Sequence, residues 1–378
     1  KNLMFFGAVA VPFYFHRIGL NYTRMFMLET VFAVSMIVFE IPTGVIADKF
    51  GRKISLFYGS LIFGLSFFFF GIFTSYPVLV ILEITCACGM TMLSGADKAL
   101  IFDILKGGGR EKEADVVMSR YESFSAAGML LSFPAGSMFA GSGIVSYRTA
   151  LGMVFTATGV AIILSGFIIL FVKENFTQNH SVSPLKQGVN GFLYIFRNKT
   201  LRVFSLNYAF ISSLTFFMFW FYQALLVENK FPVSGMGFVS SGFNASSMIL
   251  LMLTPLLKKH FKMKNIIFFT SIVPGAAYLA AGFIPGLPMA FAAIFIITNL
   301  KMLRAPILTA VMNEYIESSN RATVLSGVSM MERIVTASLY MLIGILSDIS
   351  LSSALIAIGA ITVVLSLVMR TDRVTASS

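Results

Sequence analysis

The sequence predicts an all-α polytopic membrane protein with twelve transmembrane helices in two six-helix pseudo-repeats. Three observations carry that expectation. Of its 378 residues 57% are hydrophobic and only 12% are charged, with a mean hydropathy of +0.85, whereas a soluble domain carries roughly 25% charged residues to face water. Apolar runs of roughly 20 residues, the length that crosses a hydrocarbon core, recur along the chain. The basic residues fall in short loops that alternate in density between the two ends of those runs, as the positive-inside rule requires. Helices are the expected form because a segment in lipid must satisfy its own backbone hydrogen bonds. The strand alternation of an outer-membrane barrel is absent from the sequence.

In order, the runs read as 1–18, 26–47, 54–74, 78–104, 116–141 and 147–172, then 201–226, 236–257, 265–284, 288–313, 321–347 and 350–370. Lys1 leads straight into an apolar run with no small-residue cleavage site, so the first run reads as a spanning helix and not a removed signal peptide. The stretch 173–200 is polar and basic, with Lys173, Lys186, Arg197 and Lys199 around Ser183-Pro184, and is the one long connection. The expected organisation is therefore a first half at 1–172, a cytoplasmic linker at 173–200 and a second half at 201–378. One side collects Lys1, Lys49, Arg52, Lys53, Lys106, Arg110, Lys112, Arg120, Lys173, Lys186, Arg197, Lys199, Arg202, Lys258, Lys259, Lys262, Lys264, Arg321, Arg370 and Arg373. The other has only Arg17, Arg24, Arg148 and Lys230. The basic side is expected to be cytoplasmic, with both termini on it, in a multi-pass protein of the cell membrane.

The formal net charge is +11, but its confinement to short loops points to membrane topology and away from nucleic acid. The two cysteines, Cys86 and Cys88, share one apolar run, so no disulfide framework is expected. The sequons at Asn175, Asn179 and Asn198 fall on the cytoplasmic side, and Asn21 lies close to the membrane; none is read as glycosylated. Walker and dinucleotide fingerprints are missing, and His16, His180 and His260 are too scattered for a metal cluster, so no cofactor is expected. His16, beside Arg17, reads as an interfacial residue. An intramembrane enzyme would need a nucleophile–base pair that no His or Cys supplies, and a sensor would need an output domain after Arg370. The chain is not read as an enzyme.

The most informative stretch is Gly44-Val45-Ile46-Ala47-Asp48-Lys49-Phe50-Gly51-Arg52-Lys53, read as a turn between the second and third runs. Two glycines permit close approach or a left-handed backbone, and Asp48 and Arg52 can pair with neighbouring helices. The stretch resembles the signature loop between helices 2 and 3 of the major facilitator superfamily. The upstream Glu40-Ile41-Pro42-Thr43-Gly44, and Asn313-Glu314-Tyr315-Ile316 with Arg321-Ala322-Thr323-Val324-Leu325-Ser326, resemble the bacterial drug/proton antiporter branch. That resemblance implies a cytoplasmic gate built from Gly44, Asp48, Gly51, Arg52 and Lys53, with Asp48 facing helix 11 and Arg52 pairing with Asp103 at the end of helix 4. The alternative is that these charges simply anchor helix ends. In the second half the loop 258–264 keeps the positive charge and a phenylalanine without the glycines or the aspartate, as in a degenerate repeat. Two positions depart from the antiporter pattern. Thr85 stands four residues before Gly89 where that branch has arginine, and Phe133-Pro134-Ala135-Gly136 keeps only part of its helix 5 glycine–proline run.

Charges inside the runs are the candidates for substrate contact and coupling. Centring the tenth run puts Lys301 at mid-depth with Arg304 one turn on, and the same procedure puts Glu332 and Arg333 in the eleventh and Asp97-Lys98 in the fourth. Each costs about 2.5–3.5 kcal/mol at helix centre and should face protein or water. By the resemblance, Lys301 and Arg304 are candidates to meet substrate; alternatively, Glu332 neutralises one of them in an ion pair that only locks two helices together. The cations outnumber Glu332, which favours an anionic or zwitterionic substrate. Glu40, Glu83, Asp97 and Glu332 are the carboxylates for proton coupling, with Asp97 and Glu332 first and Glu83 read as solvated near a helix end. Tyr208 and Trp220, with Tyr222 and Gln223, are candidates for an amphipathic pocket, although most phenylalanines must face lipid or pack between helices.

The expected function is proton-coupled export of small amphipathic compounds by alternating access. The alternatives are an importer or facilitator of an organic anion, metabolite or siderophore-like compound, and a lipid or lysolipid flippase. The expected partners are a small-molecule substrate, protons or another coupling ion, and the lipid bilayer, with the protein monomeric. Asp48→Asn is expected to lower transport in proteoliposomes while the protein stays folded; a wild-type rate would remove Asp48 from the gate.

Overall fold

The structure is a computed structural model that describes residues 2–174, 184–317 and 320–371. Lys1, Asn175, Asn179, His180 and Arg373 lie outside the described residues, as does the side chain of Lys186. Among the described residues every regular element is helical. The first run is not one helix but a 3-10 turn, Phe5–Ala8, a short α piece, α1 (Ala10–Pro12), and a π-helical stretch, Phe13–Ile18. There follow α2 (Tyr22–Phe50), α3 (Arg52–Phe70), α4 (Tyr76–Leu93), α5 (Ala96–Gly107), α6 (Ala114–Ala140) and α7 (Tyr147–Ile169). After the connection come α8 (Pro184–Arg197), α9 (Lys199–Phe216), α10 (Met218–Glu228), α11 (Val233–Met252), α12 (Thr254–His260), α13 (Met263–Phe283), α14 (Leu287–Glu314), α15 (Arg321–Ile349) and α16 (Leu351–Val368).

Among the described residues nine helical spans are individually long and apolar enough to cross a membrane, or ten if the bent pair α11 and α12 is one span. Two of the twelve expected spans do not pass that test. The first is broken into the short pieces just described, and α6 carries Asp115, Arg120 and Glu122 in its first half. Large exposed apolar side chains such as Phe124, Leu131 and Phe171, each more than 70% exposed, are what a lipid-facing surface presents and a water-facing one avoids.

Local signals start the helices where a donor or a fixed φ is available. Pro77 and Pro288 occupy the first turns of α4 and α14, where a missing N–H costs nothing. Asn198 Oδ1 accepts from Thr200 N at 3.0 Å and Leu201 N at 3.2 Å and so caps α9. Its carboxamide is thereby used inside the fold.

By Cα proximity the chain forms two compact units. One comprises Lys1–Leu20, Leu28–Leu185 and Val233–Ser241; the other comprises Asn21–Met27, Lys186–Pro232 and Gly242–Ser378. In the first, α3 and α7 meet through glycines. A Cβ on Gly64 would sit 2.8 Å from Gly159 O, one on Gly159 2.4 Å from Gly64 O, and one on Gly71 2.3 Å from Gly152 O. In the second unit α13 and α16 repeat the arrangement, with a Cβ on Gly275 3.1 Å from Gly359 O and one on Gly282 3.1 Å from Ser352 O. Backbone-to-backbone approach through small residues is how helices associate where lipid removes the hydrophobic drive. Around these pairs the first unit packs aromatics, with Phe13 stacked on Phe155 at 3.8 Å and Phe67 and Phe70 buried beside them. The second packs Phe204, Ile267, Leu308 and Val324 into one apolar cluster.

Gly159→Val should therefore be among the most damaging single changes, by about 1–3 kcal/mol for overpacking. The check is a lowered midpoint for thermal unfolding of the purified protein in detergent, against an unchanged midpoint for Gly108→Ala. Gly108 ends α5 with φ −92°, and its built Cβ comes no nearer than 3.5 Å to a neighbouring atom, so alanine fits there without strain.

Candidate functional site

The signature stretch folds differently from a turn. α2 continues through Gly44, Asp48 and Lys49 to Phe50, and α3 begins at Arg52, so Gly51 alone stands outside a helix. Its φ of +96° is a left-handed conformation that only glycine adopts without strain. That single break turns the chain and leaves the first N–H groups of α3 without helical partners. Glu174, just past α7, takes them: Oε1 accepts from Arg52 N at 2.8 Å and Oε2 from Lys53 N at 3.1 Å. A carboxylate against a helix N-terminus is also favoured by the helix dipole.

The Arg52 side chain turns the other way, with Nη1 2.8 Å from Asp103 Oδ2 at the end of α5. Both partners are partly exposed, 23% and 34%, so the pair adds about 1 kcal/mol or less to stability. Asp48 is half-buried and Lys49 exposed. On the adjoining loop Arg110 donates through Nε and Nη2 to Glu113 at 2.8 and 2.6 Å. This bond holds the Glu113 carboxyl below the usual carboxylate range.

Asp97 does not lie within a continuous fourth helix. The chain breaks at Ser94-Gly95, with Gly95 at φ +78°, and Asp97 sits in the first turn of the separate α5. Tyr121 OH donates to Asp97 Oδ2, and exposed Lys98 pairs with Glu122 at 2.6 Å. Asp97 is thus a half-buried helix-end residue tied to α6. Glu40 is half-buried and lines a small cavity with Met36, Gly44, Thr91 and Ser94.

Glu83, expected to be solvated, is instead 5% exposed. Its position on α4 faces Tyr14, whose hydroxyl donates to Oε1 at 3.4 Å. The π-helical stretch supplies Tyr14, and the irregular first span is therefore what brings a hydroxyl to this carboxylate. Glu29 of α2 interacts electrostatically with Glu83, as does Cys86 one turn along α4. Among the described residues no cation lies within ion-pair distance of Glu83. Glu29 was not among the candidates from sequence; only its charge within an apolar run marked it. Thr85, at the position where the antiporter branch has arginine, shares a hydrogen bond with Ser66 at 2.9 Å across to α3.

In the second unit Lys301 and Arg304 take different roles. Arg304 is 1% exposed, and its guanidinium donates to Ile267 O at 3.0 Å, Thr270 Oγ1 at 3.2 Å, Ser271 Oγ at 2.6 Å and Asn207 Oδ1. It ties α14 to α13 and α9 through neutral oxygens and has no open face for a substrate. Lys301 is half-buried with Nζ 4.6 Å from the centre of the Phe216 ring, a cation–π contact. It interacts electrostatically with Glu332, which is also near Arg333, yet no ion pair within 4 Å joins Lys301 to Glu332. Tyr208 is half-buried and within electrostatic reach of Glu332 and Arg304. Trp220 packs edge-on to Phe26 at 6.3 Å, and with Tyr222 and Gln223 it is buried, at 5%, 1% and 0% exposure. The Trp220 indole N–H has no hydrogen-bond partner among the described residues.

His16 is exposed and 3.4 Å from Tyr147 OH. Its neighbour Arg17 donates to Gly71 O at 2.6 Å and Arg148 O at 2.8 Å, closing the end of α3. Among the described residues no three His, Cys, Asp or Glu are grouped to hold a metal ion.

Residues 2–303 match the family described as Major Facilitator Superfamily. An uncharacterized MFS-type transporter of Methanocaldococcus jannaschii is 27% identical over 148 residues, which is 39% of this chain and 34% of that protein's length. Among solved structures, the fold is similar to the nucleoside transporter NupG (TM-score 0.77, 12% identity, 97% of this chain and 95% of that one). It is similar too to a bacterial homolog of the human lysosomal transporter Spinster in an inward-facing, unoccupied conformation (0.76, 17%, 98% and 92%). A third is a D-xylose-proton symporter (0.74, 15%, 97% and 94%).

Removing the Glu174 carboxylate should cost more stability than removing the Arg52–Asp103 pair. Glu174→Ala is expected to lose about 0.5–2 kcal/mol, the range for a helix cap, and Asp103→Asn about 1 kcal/mol or less. Denaturant titration of both variants in detergent makes the comparison.

Proposed function

The chain belongs to the Major Facilitator Superfamily, and from that premise we propose that it is a proton-coupled exporter of small amphipathic compounds working by alternating access. In this reading two six-helix halves move around a substrate site near mid-membrane, in a monomer of the cell membrane with both termini cytoplasmic. The observation that carries the coupling is Glu83. A carboxylate buried without a countercharge is costly, and one held beside a hydroxyl can take up and return a proton as its surroundings open to water. Glu83 therefore replaces Asp97 and Glu332 as the first candidate, since Asp97 sits at a helix end against Tyr121 and Glu332 lies near the cations Lys301 and Arg333. Proton coupling also occurs in the structural neighbour named as a D-xylose-proton symporter.

Arg52, Asp103 and Asp48 form the cytoplasmic gate in this proposal, with Gly51 setting the break that aims them. Lys301, Glu332 and Tyr208 are the proposed substrate contacts on α14, α15 and α9; Arg304 is assigned to packing. A second reading, an importer or facilitator of an organic anion, is favoured by Lys301. Its charge rests on an aromatic ring, with no carboxylate of the described residues within 4 Å, so an anionic group of a substrate has a partner waiting.

The test is flux in proteoliposomes under an imposed pH gradient, with anionic, neutral and cationic compounds. Glu83→Gln is expected to cut gradient-driven flux at least about tenfold, the effect of 1.4 kcal/mol, while exchange at equal pH persists. Uphill transport at the wild-type rate in that variant removes Glu83 from coupling. Lys301→Ala should slow anionic cargo selectively, and an equal effect on cationic cargo would count against the second reading.

A further inference from the structure

The connection expected as a polar linker contains a helix, α8, and this helix has two distinct apolar faces. One is docked. Gly188, Gly191 and Ile195 are buried, and a Cβ on Gly191 would stand 1.9 Å from Thr323 O of α15, so the two backbones touch. Gly188 meets Met330 of the same helix, with a built Cβ 3.0 Å from its sulfur. Ile195 joins the apolar cluster that holds Val324 and Val328.

The other face is uncovered. Val189, Leu193 and Phe196 are 41%, 51% and 39% exposed, and their i, i+4, i+7 spacing sets them in one stripe along the helix. Next around the helix come Asn190 and Arg197, both exposed, and Lys199 follows immediately, also exposed. A docked face, an apolar stripe and a polar, basic edge succeed one another, the order found in a helix that lies in a membrane interface. Chain continuity limits where α8 can be. Only Asn198 separates it from α9, the start of the 30-residue span Lys199–Glu228, so its last turn is within a few ångström of where the chain enters the bilayer.

We propose that α8 is an interfacial helix whose Val189–Leu193–Phe196 stripe is inserted at the acyl boundary of one leaflet, with Arg197 and Lys199 on the headgroups of anionic phospholipids. Burying such a stripe in lipid removes the cost of exposing it to water, and basic residues at a membrane surface each add attraction to anionic lipid. The occupant is thus the lipid surface itself. Because α8 touches α15 through backbone, its seat in the leaflet is passed to the helix that bears Glu332 and Arg333. This inference is independent of what the protein transports.

The test uses the full chain, with Cys86→Ala and Cys88→Ala and a single cysteine at position 189, 193, 196 or 190. Each variant carries a nitroxide and is reconstituted in phosphatidylcholine vesicles with or without phosphatidylglycerol. Folding is checked by a single symmetric peak in size-exclusion chromatography before reconstitution. The expected result is a several-fold higher ratio of oxygen to nickel-chelate collisions at 189, 193 and 196 than at 190. Phosphatidylglycerol should raise that ratio, and Arg197→Gln with Lys199→Gln should abolish the rise. Equal access of the chelate to all four positions would place the stripe in water. Protection of the stripe from both reagents would mean that protein covers it. A ratio indifferent to phosphatidylglycerol would remove the anionic headgroup. Any of these three results overturns the proposal.

Discussion

Close backbone contact at glycine is the constraint on which both compact units rest. Gly64 with Gly159, and Gly71 with Gly152, let α3 and α7 approach until carbonyl oxygens fill the space a methyl group would need. Gly275 with Gly359, and Gly282 with Ser352, do the same for α13 and α16. In each pair the small residues recur two turns apart. In lipid, where apolar surface gains nothing by leaving its solvent, such proximity supplies dispersion and weak backbone contacts that larger side chains would forfeit.

The two neighbouring cations of α14 illustrate the opposite solutions open to a charge in such a protein. Arg304 is enclosed and distributes its charge over a carbonyl, two hydroxyls and an amide oxygen drawn from two helices. A planar guanidinium with several fixed donors is suited to that task. Lys301, three residues earlier, is left against the face of Phe216. One residue is consumed by the fold and the other is not. Sequence spacing puts them on adjacent turns and cannot separate these fates, because the separation depends on Asn207 and Ser271, distant in the chain.

The same limit explains what sequence disclosed and what it did not. Hydropathy locates the helices because a bilayer imposes a length and a polarity on each run, and the motif marks Gly51, Arg52 and, through the resemblance, Asp103. The fit is poorest where the backbone departs from a simple rod. The first run is broken into 3-10, α and π pieces, the fourth is interrupted at Gly95, and α8 occupies a stretch that composition marks as polar. Distance from a helix end reads Glu83 as solvated, whereas the fold buries it and its carboxylate accepts from Tyr14, a residue carried by the π-helical piece. Glu174 had no local signature at all: it caps a helix more than a hundred positions earlier. Hydrogen bonds across such separations leave no periodicity to read.

One such bond has a bearing on the order in which the molecule is made. The Asp348 carboxylate accepts from Tyr22 N at 2.7 Å and Thr23 N at 3.1 Å, at the very start of α2. Nearby, a Cβ on Gly344 would stand 2.9 Å from Thr23 Cα, and Phe26 stacks on Tyr340 at 5.6 Å. The opening turn of α2 is thus completed by residues near the end of α15. During synthesis that turn is made more than three hundred residues before Asp348, so water must answer the Tyr22 and Thr23 amides until α15 follows. Translation of α15 therefore also completes α2, and a product ending before Asp348 would carry a defect in the first turn of α2.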